Sequence, residues 1–378
     1  MALNFDLRVF VGMPGGKKLW LAIVLAVVCG NACAAATAAG ATENGPRGVV
    51  VNPRTHMVYA ITAAEDSVTA IDGRTNAVLS IRVGQGAKAV AVDPVTNRVY
   101  VINEHSGNMS VIDGATGQVT ATVEVGPLPS VVALNPVTNR IYVSRSFGNG
   151  FMTVVDGATN RATRVKVGME ANAIAVNPTK DKIYLVGYED HSVTVLDGAT
   201  NKTSKLPAGT HLWEIAVDST SNRIYLPNSG DRQVQVIAGD GHTTAVATGT
   251  FPCAVALDPA AERAYVLNYG SDSVTVLNTE NNTVAATVAV GKRPQAIAVN
   301  QKTHRIYVAN THSNNVTVID GKTNSVLAVV AAGNGPYSLA IDSVTNKIYV
   351  ANRLSRAVTV IDGATNDAAE IDPGGDAK

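Results

Sequence analysis

RPQAIAVNQKTHRIYVANTHSNNVTVIDGKTNSVLAVVAAGN, residues 293–334, is the stretch whose reading decides the fold. Ala296–Asn300 is a short β-type run that ends in a polar turn, Gln301–His304. Arg305–Ala309 (RIYVA) and Val316–Asp320 (VTVID) are two more runs, rich in β-branched residues. The turn Gly321–Asn324 leads into a fourth, Ser325–Ala331. Four short runs joined by turns predict an antiparallel meander. No segment sustains a helical spacing of apolar residues, so the pattern predicts no helical domain.

The rest of the chain repeats this unit. The tyrosine of the second run recurs at Tyr59, Tyr100, Tyr142, Tyr184, Tyr225, Tyr265, Tyr307 and Tyr349, at spacings of 40 to 42 residues. A period of that length with four strands per unit marks a β-propeller. Eight units of 42 residues account for 336 of 378, which leaves no room for a second domain. The fold class is therefore all-β: a single propeller over residues 43–378, of eight four-stranded blades, with seven as the alternative. Blade one is expected at 46–83 and blade eight at 336–371. Each unit carries its own four strands, so the ring should close by packing rather than by a strand shared between the termini.

The motifs YVIN (100–103), YVLN (265–268) and YVAN (307–310 and 349–352), each followed by V-T-V-[IL]-[DN] or a near variant, resemble the YVTN-family β-propeller repeat. The resemblance covers residues 46–371. It implies an exported or cell-surface propeller and no single activity, since such propellers include lactonase-like, haem d1-binding and purely binding members. The fourth unit departs with YLVG (184–187), and the fifth replaces the Ile-Asp-Gly turn with Ile237-Ala238-Gly239.

The N-terminus reads as a leader. Arg8, Lys17 and Lys18 precede the apolar run Leu19–Val28, and small residues follow around Ala34, Ala36 and Ala38. Basic, apolar and small segments in that order make residues 1–38 a signal peptide, and the apolar run is too short for a membrane span. The expected location is the periplasm or cell surface. The leader carries three basic residues and one acidic residue, Asp6. The mature chain then keeps 27 of 30 basic and 29 of 30 acidic residues, a net of −2. That balance gives no electrostatic reason for nucleic acid as a partner. Cys29 and Cys33 leave with the leader and Cys253 stays alone, so no disulfide framework is expected.

Two polar positions repeat. The second strand usually begins with a base: Arg98, Arg140, Lys182, Arg223, Arg263, Arg305 and Lys347. The third usually ends in Asp: Asp72, Asp113, Asp156, Asp197, Asp320 and Asp362. These are neighbours across an antiparallel pair, so each base is expected to pair with the Asp of its own blade. Repetition in nearly every unit makes this a structural device rather than a calcium or phosphate site.

Function should lie where the copies differ. The loops between strands two and three, and those leading into the next blade, share one face. Phe147, Phe151, Tyr188, Trp213, Phe251, Tyr269 and Tyr337, the aromatics outside the leader and the tyrosine repeat, all fall on it or at its edges. Aromatics on loops of a rigid scaffold suit binding. One position is different in every unit: Arg47, Lys88, Ser130, Asn172, Trp213, Cys253, Gln295 and Tyr337, each just before the innermost strand. In a closed ring these eight would surround the channel mouth, with Tyr188 and Tyr269 nearby, as a ligand-binding ring. Its basic and aromatic members suit an acidic group on a partly apolar ligand.

Catalytic signals are sparse. No H-E-x-x-H, C-x-x-C-H or G-x-S-x-G motif occurs. No catalytic residue and no cofactor are assigned. A metal ion is the weaker alternative, with Glu104-His105 and Glu189 with His191 as its candidate ligands. The sequence points to an exported binding or scaffold protein for a protein, peptide or glycan. The alternatives are a lactonase- or lyase-like metal-assisted propeller enzyme, or a carrier of a haem d1 or quinone type of cofactor.

Overall fold

The structure, a computed structural model, describes residues 45–62, 65–145 and 150–372. The expected leader and Phe147 lie outside the described residues. The chain forms eight four-stranded antiparallel sheets, each built from four consecutive strands. The first blade is β1 (Gly48–Val51), β2 (Met57–Thr62), β3 (Ser67–Asp72) and β4 (Val78–Arg82). The last is β29 (Pro336–Asp342), β30 (Lys347–Asn352), β31 (Val358–Asp362) and β32 (Ala368–Ile371). Eight blades are present, not seven, and their limits match those read from the repeat.

Alternation within the strands creates the seams between blades. In β6 (Arg98–Asn103), Val99 and Val101 pack with blade one, while Tyr100 and Ile102 pack with blade three. Side chains of period two face opposite sides of a sheet, so each blade feeds two cores. The buried residues fall into eight apolar clusters, one per seam, including one between blades eight and one. Each fully buried Val, Ile or Leu contributes roughly 1.5–3 kcal/mol of transfer free energy.

The ring closes without a shared strand. β1 packs beside β5 (Ala87–Asp93) on one side and β29 on the other. Polar contacts cross the closing seam, among them the ion pair of Arg356 with Glu65 at 3.5 Å. Gly45 donates its N–H to the carbonyl of Arg353 at 3.0 Å, and Lys347 Nζ donates to the carbonyl of Gly73 at 2.6 Å. His56 Nδ1 lies 2.6 Å from Asp342 Oδ2.

The asparagine that ends the YV-x-N motif locks the following turn. Asn310 Nδ2 donates to Asn315 Oδ1 and Thr317 Oγ1, each at 2.8 Å, and Asn103 makes the same pair of bonds to Asn108 and Ser110. The linker from the preceding blade passes close over it. A Cβ on Gly291 would fall 2.7 Å from the Asn310 side chain, which requires glycine there. The fourth unit has Gly187 in place of this asparagine, and its turn carries Tyr188.

The expected pairing of each base with its own Asp is corrected. Among the described residues only Lys182 and Asp197 pair in this way, at 2.6 Å. Arg98, Arg140, Arg223 and Arg305 instead donate to carbonyls of the next blade: Gly157, Gly198, Thr279 and Gly363. Lys347 does the same at the closing seam. The bases are clasps between blades. The aspartates are occupied by their own turns: Asp320 Oδ1 accepts from Lys322 N at 2.7 Å and Thr323 N at 3.1 Å. Those amides hold the Asp320 carboxyl below the ordinary range.

Candidate functional site

The position that varies in every blade is set by a β-bulge. In blade two Ala87 opposes Asn103 and Ala89 opposes Ile102, which leaves Lys88 unmatched. Ser130, Cys253, Gln295 and Tyr337 are skipped in the same way. In blade five Leu212 bridges to Asn228 and Ala216 to Tyr225, so Trp213, Glu214 and Ile215 oppose only two residues. Trp213 takes the bulged place. Arg47 and Asn172 differ, since their N–H groups donate regularly to Ile61 and Val186 at 3.0 and 2.8 Å. A bulge re-aims one side chain and frees it from cross-strand partners, which is why this position varies while its neighbours do not.

A second feature sits just upstream. The residue two before the bulge has a left-handed backbone: φ is 72° at Gly86, 50° at Leu128, 54° at His211, 55° at Phe251, 52° at Arg293 and 66° at Gly335. Glycine adopts this conformation freely, and a side chain there costs about 1–2 kcal/mol. Blade three nevertheless carries Leu128 there, and blades five, six and seven carry His211, Phe251 and Arg293. Such strain concentrates at functional sites.

The side chains of His211, Phe251 and Arg293 join one row. Tyr188 lies 4.7 Å from His211 and 4.6 Å from Trp213, ring centre to ring centre. Trp213 is 6.0 Å from Phe251, and Phe251 is 5.7 Å from Tyr269. The Arg293 guanidinium stands over the Tyr269 ring at 4.8 Å. The row thus crosses blades four to seven. Tyr188, Trp213 and Phe251 are partly exposed and Tyr269 is buried, so the row packs the loops and still presents ring surface. The Trp213 indole N–H is bonded to Ser229 Oγ at 3.1 Å, which fixes the ring.

The other expected residues are placed as follows. Ser130, Gln295 and Tyr337 are buried, and Arg47, Lys88 and Asn172 are partly exposed. Lys88 Nζ pairs with both oxygens of Glu104, at 3.0 and 3.1 Å. Arg353 covers the Tyr337 ring at 4.8 Å. Phe151 stands apart from the row, under Arg164 at 3.9 Å. Cys253 is fully buried and disulfide-bonded, which corrects the expectation of a lone thiol; Cys29 and Cys33 lie outside the described residues.

The candidate metal ligands do not assemble. Among the described residues no group of three or more His, Cys, Asp or Glu could hold a metal ion. Glu104 is engaged by Lys88, and His105, Glu189 and His191 are exposed. Glu104 and His105 instead line an open cleft of about 350 Å³ with Glu124 and Pro127, between blades two and three.

Two members of the site escaped the sequence reading, Arg293 and Glu214. Glu214 follows the bulged Trp213. Burial pushes its carboxyl up to about 7, against a hydrogen bond from the Val255 amide that pulls it down. The signal was present in the alignment of the units: the matching positions are Gly48, Ala89, Val131, Ala173, Ala254, Ala296 and Ser338, none of them ionisable.

Residues 234–371 match the family model of the YNCE-like beta-propeller, and the YVTN-type repeat agrees with that match. The matched segment includes Phe251, Tyr269 and Arg293, and begins after Tyr188, Trp213 and Glu214. Comparison with curated proteins by sequence finds no match. Among solved structures, hydrazine synthase of Kuenenia stuttgartiensis superposes with a TM-score of 0.61 at 20% identity, over 76% of this chain and 98% of that one. The dihydro-heme d1 dehydrogenase NirN, in complex with DHE, gives 0.70 at 13% identity, over 85% and 74%. At these identities the likeness is one of fold. No helix among the described residues is long and apolar enough to cross a membrane.

Proposed function

We propose that this chain is an exported binding protein that recognises a protein, peptide or glycan across the face carrying the aromatic row. The observation that carries the reading is the row itself. Four aromatic rings from three blades touch in sequence, on loops that differ from unit to unit, and two flanking side chains hold backbone conformations that glycine would adopt without strain. Aromatic rings give large contact area at low entropic cost, and ring stacking suits both sugar faces and apolar side chains. In this reading the variable positions Arg47, Lys88, Ser130, Asn172, Trp213, Cys253, Gln295 and Tyr337, with Tyr188 and Tyr269, form the wider ligand-binding ring to which the row belongs. Export rests on the basic, apolar and small order of residues 1–38.

The test is an array of immobilised peptides and oligosaccharides, probed with the full-length protein and with its Tyr188→Ala/Trp213→Ala variant. The wild type should bind a subset of spots that the variant loses, with little change in melting temperature. Equal binding by a folded variant refutes the row as the contact surface. Cell fractionation with N-terminal sequencing tests export: a chain that keeps residues 1–38 in the cytoplasm refutes it.

A further inference from the structure

We propose that Glu214, with the rings of Trp213 and Phe251 beside it, forms a subsite for a cationic group of the ligand, an alkylammonium or a guanidinium, at the seam between blades five and six. This rests on the reading of the aromatic row as a binding surface and names the chemistry of one part of it.

The placement comes from strand alternation. Ile215 belongs to the core between blades four and five, while Ala216 packs with Val255 and Leu257 between blades five and six. Glu214 shares the facing of Ala216 and so points to blade six. Its carboxyl lies beside the backbone N–H of Val255, in β21 (Pro252–Asp258). Trp213 crosses the same seam to reach Phe251 at 6.0 Å. Carboxyl and rings thus meet blade six at the same end of the innermost strands.

The carboxyl is costly where it stands. Seven other units place a small or apolar residue there. Glu214 is partly exposed, burial of its carboxyl disfavours the charged form, and among the described residues it forms no ion pair. β13 (Ala173–Asn177) of blade four brings no ionisable group, and β21 brings only Asp258 at its far end. His211 is held against Tyr188, and Arg293 over Tyr269. A ligand cation would supply the missing counter-charge, and the neighbouring ring faces add attraction of their own.

The chain holds two tryptophans, Trp20 and Trp213, so in a Trp20→Phe background the emission reports this seam alone. The probes are tetramethylammonium chloride and neopentyl alcohol, a neutral molecule of similar shape, titrated into wild type and Glu214→Gln. The wild type should bind the cation more tightly than the alcohol, and affinity should rise as the pH is raised through about 7, where Glu214 ionises. Glu214→Gln should lose on the order of tenfold in cation affinity. It should also lose the pH dependence and keep its affinity for the alcohol. Equal binding of both probes, unaffected by Glu214→Gln, overturns the cation subsite and leaves the aromatic row standing. Perturbation of Trp213 by neither probe overturns both. The pH dependence in wild type tests the subsite even where the variant folds poorly.

Discussion

Two kinds of residue carry the character of this molecule: tyrosines that repeat and side chains that break the repeat. The repeat tyrosines are buried, and enclosure pushes Tyr59, Tyr142, Tyr265 and Tyr349 from the ordinary 10 up to about 12. The unfolded chain loses these protons near pH 10, while the folded chain keeps them to about 12. Their contribution to stability is therefore complete below pH 10 and is lost as the pH rises toward 12. Alkaline titration should show tyrosinate absorbance appearing together with loss of β-sheet circular dichroism. Tyrosinate formed near pH 10 by these residues in a fully folded protein would contradict their enclosure. The repeat-breaking residues are Trp213, Glu214 and the left-handed His211, Phe251 and Arg293, which gather at one face.

At the scale of the blade, the polar repeat is a set of ties between neighbours. In six blades the residue that ends the innermost strand bonds the left-handed turn residue of the next blade. Asn52 bonds Asn97 at 2.8 Å, Asn177 bonds Asn222 at 2.7 Å, and Asn300 bonds Asn346 at 2.7 Å. Where the turn residue is histidine the partner is aspartate, as in His304 with Asp258 at 2.7 Å. The arginine clasps act beside these ties. Arg305 reaches the carbonyl of Gly363 in the next blade, whereas among the described residues Arg263 bonds only the carbonyl of its neighbour Glu262, at 3.0 Å. A hydrogen bond from a charged donor contributes about 1.5–3 kcal/mol. Arg305→Ala should therefore lower stability by about that much in urea unfolding, and Arg263→Ala by less than about 0.5 kcal/mol. Equal losses would mean that the clasp between blades adds nothing.

The whole molecule is held as a closed ring of shared cores. Every apolar cluster draws on two blades, so no blade completes a core by itself. Removing residues 336–372 would open two clusters at once, those between blades seven and eight and between eight and one. It would also remove Asp342 from His56 and Lys347 from Gly73. The shortened chain should lose its single cooperative thermal transition and its hydrogen-exchange protection in β1, β2 and β3. A truncated protein that melts cooperatively at the full-length temperature would show that ring closure is not what holds the fold.

The sequence by itself determined the architecture. The tyrosine spacing fixed the number of blades, the β-type runs fixed the strands, and the Asp-Gly turns fixed their ends, because these depend on residues close together in the chain. Much of the aromatic face was legible too. Tyr188, Trp213 and Tyr269 stood out by type, and the bulged position stood out by its variation. The tertiary structure decided what meets what between blades. The pairing of Arg305 with its own Asp320 looked sound from strand order, yet the guanidinium reaches Gly363, a residue of the next blade. Ring curvature brings neighbouring blades closer at some heights than others, and no local pattern encodes that distance. The same holds for the row from His211 to Arg293 and for the contact of Glu214 with Val255, which exist only because three seams bring loops of four blades side by side.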